Sequence, residues 1–156
     1  MSFQSADPVL FYGKSHVTAS LGSNHPEVGT LVTFEDGNTY RWVYNESGTQ
    51  ISPTYAVQVN SAATGYSVTV TNATNTGKAI GVVKHATLTT ATYGWVLTQG
   101  FGTIEMGANN SAAVRANIYV GADGTGAGAA ASEHPYATIV SAAASGASAG
   151  AYVSCY

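Results

Sequence analysis

Acid–base, nucleophilic or metal chemistry in this chain of 156 residues would rest on four histidines, eight carboxylates and one cysteine. The histidines are His16, His25, His85 and His134, and no two lie within the short spacing of preformed zinc ligands. His25 and His134 each precede a proline, which favours extended or turn backbone, so loop histidines are expected. The carboxylates are Asp7, Asp36, Asp123, Glu27, Glu35, Glu46, Glu105 and Glu133. Glycoside hydrolysis needs two of them at a controlled separation. Only Glu105 falls inside a patterned strand, in step with Phe101 and Thr103, so it is expected to be solvated or paired across strands.

Other reactive patterns fail on inspection. Serine is abundant, but there is no Gly-x-Ser-x-Gly elbow to expose a nucleophile. Gly121-Ala-Asp-Gly-Thr-Gly126 lacks the Lys-Ser/Thr of a phosphate loop and precedes no helical pattern, which also removes a dinucleotide fingerprint. Asp and Asn are too sparse for a calcium loop. The glycosylation-type triplets at Asn45, Asn72 and Asn109 are chance matches in a Ser/Thr-rich chain. Cys155 reads as a small buried hydrophobe, and a single cysteine excludes an internal disulfide. The expectation is no catalytic residue, no cofactor, no metal and no enzyme.

The elements behind these residues are β. Charged residues are 8% of the chain, against about 25% in ordinary globular proteins. Glycine numbers 18, and alanine and threonine each exceed it. Glu, Lys, Arg and Gln, which cover exposed helices, are scarce, so long helices are disfavoured. With 45% hydrophobic residues the chain has enough apolar surface to fold. A net charge of −3 with five Lys+Arg leaves no basic footprint, so no nucleic-acid partner is expected. No apolar run reaches the length of a membrane helix, so no membrane is expected either. The first residues have neither the positive nor the apolar region of a signal peptide.

Thr30–Phe34 and Thr39–Tyr44 flank Glu35-Asp-Gly-Asn38, a hairpin with turn chemistry between β-branched and aromatic runs. Tyr40, Trp42 and Tyr44 share one face. Residues 55–59 and 66–71 alternate with period two, as half-buried antiparallel strands do. Residues 78–83 form a strand in which Gly81 signals a bulge or close backbone approach. Residues 93–98 and 101–106 read as two strands around Gln99-Gly100, and 117–120, 137–140 and 151–156 as three more. Residues 121–131 and 141–150 read as loops. Nine or ten short strands at this spacing predict an all-β antiparallel barrel or sandwich. Residues 1–28 lack a period and carry Pro8 and Pro26, an irregular N-terminal arm before a β-domain at 29–156. Ten tyrosines and two tryptophans exceed what a core needs and divide between core and interface.

Four segments carry a family resemblance: Ala79-Ile-Gly-Val-Val83, Tyr93-Gly-Trp-Val-Leu-Thr-Gln-Gly100, Ile118-Tyr-Val-Gly-Ala-Asp-Gly124 and Tyr152-Val-Ser-Cys-Tyr156. Over residues 39–156 the chain resembles the decoration, or cement, proteins of tailed-bacteriophage heads. Tyr93–Gly100 is the most specific piece, and it departs from the family pattern at Leu97-Thr98, where the family has a Gln-containing pair nearer Trp95. The resemblance implies a β-barrel or sandwich knob, often a homotrimer, on the outer surface of the capsid in the virion. The partners it implies are the major capsid protein and further copies of the chain. It carries no catalytic residue. On this reading Phe3, Phe11 and Tyr12 of the arm are the expected capsid or subunit contacts, as aromatic anchors. The alternative is a phage surface or fibre domain that binds host glycan, with Trp42, Trp95 and the tyrosines as stacking platforms. A shallow polar groove with exposed aromatics would favour that alternative, and burial of both tryptophans would disfavour it.

Overall fold

The computed structural model describes residues 13–20, 25–60, 65–71, 78–128 and 135–155. These residues form an all-β fold of eleven strands. In chain order they are β1 Val17–Thr18, β2 Leu31–Thr33, β3 Thr39–Asn45, β4 Ala56–Val59, β5 Ser67–Val70, β6 Ala79–Val83 and β7 Tyr93–Glu105. β8 Asn117–Val120, β9 Gly126–Ala127, β10 Ala137–Ile139 and β11 Ser148–Ser154 follow.

Five strands close on themselves in the order β3-β5-β4-β6-β7, because β7 pairs back onto β3 with Trp95 opposite Trp42. The result is a small barrel. Its pairings are antiparallel except β3–β5, where Tyr44 stands opposite Ser67. Val43, Val57, Val68, Val83 and Val96, one from each barrel strand, form one apolar cluster with Ile51 and Leu88. A barrel this narrow is filled by its own side chains, and β-branched valine fits the pleat without leaving voids.

β7 is the strand that ties the molecule together. Residues 93–99 pair with β3, and 99–105 pair with β11. β11 then leads through β10 and β8 to β9, an antiparallel sheet attached to the barrel. A second and larger cluster joins the two parts. It contains Tyr40, Trp42, Trp95 and Leu97 from the barrel strands, and Ile104, Ile118, Ile139 and Val153 from the attached sheet. Alternation on β7 sends Val96 into the first cluster and Trp95 and Leu97 into the second, as the two-residue period demands.

The expected hairpin is present, with Phe34 N–H donating to the Asn38 carbonyl at 3.0 Å. Gly81 is the site of close approach that its sequence context predicts: a methyl there would lie 2.6 Å from Val96 Cγ2. Three strand bounds are corrected. Gln99-Gly100 does not divide two strands: β7 runs unbroken from Tyr93 to Glu105, and its register shift against β3 falls at Thr98, between Leu97 and Gln99. β11 begins at Ser148 rather than residue 151, and Gly126–Ala127 within the expected 121–131 loop forms β9 against Tyr119–Val120. Within the expected arm, Val17–Thr18 pair with Tyr93–Gly94 of β7.

Candidate interaction surface

Among the described residues no group of three or more His, Cys, Asp or Glu side chains converges as a metal site would. The densest gathering of titratable groups surrounds Asp36, in the hairpin turn. Its Oδ1 accepts the Asn38 backbone N–H at 3.1 Å, the usual reason for Asp in such a turn. Its Oδ2 accepts from Lys14 Nζ at 2.9 Å and from the Tyr40 hydroxyl at 3.0 Å. The Tyr40 oxygen also meets His85 Nε2 at 2.9 Å. Tyr40 spends its one hydroxyl proton on Asp36, so the network assigns the Nε2–H tautomer to His85.

Burial alone would raise the Asp36 carboxyl, but the hydrogen bonds from Lys14, Asn38 and Tyr40 outweigh it and hold the group well below the usual carboxylate range. Burial and the neighbouring carboxylate push the Tyr40 phenol up, so it stays a neutral donor. Burial, then the Lys84 and Lys14 charges, lower His85. Each group is thus satisfied by its neighbours, and the cluster fastens the Lys14 segment to the barrel. His16 and His25 add to the same fastening. Their Nε2 atoms are 3.4 Å apart, and both rings lie near-parallel to Trp42 with centroids about 6 Å away. Burial, then the charge of His25, lowers His16. Nine residues separate the two in sequence, which is why spacing alone did not pair them.

A pH dependence follows. His16 and His85 have lowered folded values, so below about 6.5 the unfolded chain binds protons that the folded chain does not, and stability falls. Asp36 stabilises fully above about 3.9 and loses that contribution as pH falls further. Thermal melting from pH 8 to 3 is expected to show two successive declines in Tm. His85→Gln should shrink the upper decline and Asp36→Asn the lower one. A Tm flat between pH 8 and 5 would contradict the assignment.

The outer face of the attached sheet is open to a partner. Along β7 and β11 the inward positions Ile104, Ala149, Ala151 and Val153 are buried, while Phe101, Thr103 and Ser148 face out. Phe101 is 61% exposed and stands opposite Tyr152, their rings edge to face at 5.2 Å. Gln99 Nε2 lies 3.4 Å from the Tyr152 hydroxyl. Glu105, the one ionisable carboxylate on β7, β8, β10 and β11, accepts from Ser148 on the neighbouring strand at 2.7 Å, which is the cross-strand pairing expected of it. The face is therefore hydroxyl- and amide-rich, nearly uncharged, and carries an aromatic pair at one end. Interface centres share this depletion of charge and enrichment in aromatics. Parity on β7 exposes Phe101 from sequence. Its meeting with Tyr152 needs the register of strands 51 residues apart, which no local signal supplies.

The expected contact residues Phe3, Phe11 and Tyr12, and His134 with them, lie outside the described residues. Trp42 and Trp95 are 0% and 3% exposed, so neither is a sugar platform. That is the arrangement expected to disfavour glycan binding through the tryptophans.

No family model matches the chain, and no curated protein matches it. Among solved structures, the fold is similar to the N-terminal base of the head fibre protein gp8.5 of bacteriophage phi29, with a TM-score of 0.53 and 11% identity. The match covers 74% of this chain and 94% of that one. At this identity the likeness is one of fold: this chain shares its barrel-based architecture with a domain built into a phage head fibre.

Proposed function

We propose that the chain is a phage virion structural protein that decorates the outside of the head, binds the major capsid protein and stabilises the shell. The observation that carries the reading is the fold likeness to a head-fibre base across nearly all of that domain. The sequence segments resembling head decoration proteins support it independently, since they include β6 and the first half of β7 in the barrel. The charge-poor outer face with Phe101 and Tyr152 is suited to a protein partner. A component that binds the assembled shell but not its free subunits stabilises the shell by mass action, and repeated contacts add through avidity. The chain acts here as a homotrimer with no catalytic role, and the arm residues Phe3, Phe11 and Tyr12 remain proposed contacts.

Cosedimentation with heads stripped of the protein tests this. Saturable binding at a fixed copy number, with heads that resist heat better, is expected. Phe101→Ala with Tyr152→Ala should weaken binding about tenfold or more if the pair is an anchor. Deleting residues 1–12 tests the arm in the same assay, and native mass tests the trimer. Absence of binding to well-formed heads would overturn the reading. The head-fibre likeness also favours a second role, a phage fibre domain; in that role host glycan would rest on the exposed Phe101 ring beside the half-buried Tyr152, and binding to a sugar array without binding to heads would select it.

A further inference from the structure

Arg41 lies on β3 between Tyr40 and Trp42 but on the opposite face, across from Leu31 of β2 and Val96 of β7. Its guanidinium carbon sits 4.3 Å from the centre of the Tyr66 ring. Its Nε is buried and has no hydrogen-bond partner. Among the described residues, Lys14 and Lys84 face Asp36, and Lys78 and Arg115 are exposed. Arg41 is the cation that is both half-buried and without an ion pair. Arginine is rarely buried unless paired, because desolvating the charge is costly without a compensating acceptor.

A cavity of about 230 Å³ opens beside it, lined by Arg41 together with Leu31, Thr39, Thr98, Gln99, Ser154 and Cys155. No carboxylate lines it. The Thr98 hydroxyl already donates to the Thr39 carbonyl at 2.9 Å. Burial pushes the Cys155 thiol up to about 12 although the Arg41 charge pulls it down, so the thiol is neutral and supplies no counter-charge. The cavity thus combines an unpaired guanidinium fork, hydroxyl groups and the apolar walls of Leu31 and Cys155. A guanidinium fork matches the two oxygens of a carboxylate, and the apolar walls match a short aliphatic stem.

We propose that Arg41 and this cavity form a binding site for an aliphatic carboxylate, an acidic side chain presented by a neighbouring molecule. The site stands on this chain alone. Assigning the carboxylate to the shell protein rather than to a second copy of this chain rests on the function proposed above.

The test follows the Arg41 side-chain N–H signal by NMR during titration of the whole protein with propionate, with propionamide and sodium chloride as controls. Propionate should shift that signal, and the amides of Leu31 and Cys155, saturably. Propionamide should bind about tenfold more weakly or worse, since it lacks the charge. Equal responses to propionate and propionamide, or no saturable response, would overturn the site. Arg41→Gln should abolish the propionate response at Leu31 and Cys155, with Arg41→Lys retaining part of it. In head cosedimentation, weaker binding by folded Arg41→Gln assigns the carboxylate to the shell, and altered native mass assigns it to a second copy. An Arg41→Gln protein unchanged in both would overturn a partner-borne carboxylate. Failure of the wild type to bind heads, with the propionate response intact, would sink the proposed function and leave the site standing.

Discussion

Trp42→Ala should lower the stability by about 3–5 kcal/mol, the range for deleting a large buried aromatic. For a domain of this size that is a fall in Tm of roughly 10–15 °C. Trp42 is fully buried and joins three parts of the molecule. Its ring meets Trp95 of β7 at 4.9 Å, steeply inclined at 62°, and lies beside His16 and His25 of the N-terminal segment. Removing it opens a cavity between the barrel and the attached sheet and takes away the surface against which the two histidines rest. Hydrogen exchange at Val17 and Thr18 should therefore quicken beyond what global destabilisation explains. Trp42→Phe should cost less than half as much, because the Trp42 Nε1 is buried without an acceptor and its loss removes an uncompensated polar group. Phe101→Ala, at a largely exposed position, should change stability by no more than about 0.5 kcal/mol. A Trp42→Ala protein within about 1 kcal/mol of wild type would refute the view that this ring joins the two parts.

The strands that sequence exposes are those whose side chains alternate. Tyr40 and Trp42 against Arg41, or Val68 between Ser67 and Thr69, announce both the strand and its buried face. The turn at Asp36-Gly37 is legible because its residues satisfy a local backbone geometry. Pairings are not legible in this way. Nothing near Tyr44 states that its partner is Ser67 in parallel, or that Trp95 will close the barrel onto Trp42, because those choices are made by clusters assembled from distant segments. β9 and the start of β11 are hidden for a different reason. Gly126–Ala127 and Ser148–Gly150 have low strand propensity and little side chain, and become strands because Val120 and Ile104 offer them a ladder beside a buried face. The surface follows the same division: Phe101 is readable by parity, whereas the Phe101–Tyr152 pair, the Asp36 cluster and the Arg41 cavity each exist only after strands far apart in sequence are in register.

Gly100→Ala should be severely destabilising for a residue that sequence places between two strands. Gly100 has φ +126, a region that a side chain disfavours, and the strained backbone alone costs about 1–3 kcal/mol. A methyl there would also strike Asn38, whose Cγ would be 2.7 Å away. Asn38 is 6% exposed, and its Oδ1 accepts the Phe101 N–H at 2.9 Å. β7 pairs with β3 only as far as Gln99, so beyond it the Asn38 side chain supplies the acceptor on that edge, while the ladder to β11 runs on through Gly100. Asn38→Ala should cost about 1–3 kcal/mol by leaving the Phe101 N–H unsatisfied. In the double mutant the overlap is largely gone, and the backbone strain and the unsatisfied Phe101 N–H remain. The double mutant should therefore be more stable than the sum of the single losses predicts, by about 1 kcal/mol or more. Strict additivity would mean that Asn38 and Gly100 act separately. The consequence reaches the outer face, because the same bond fixes the backbone that carries the exposed Phe101 ring. On the proposed head-binding role, Asn38→Ala should thus weaken binding even at temperatures where the protein is fully folded.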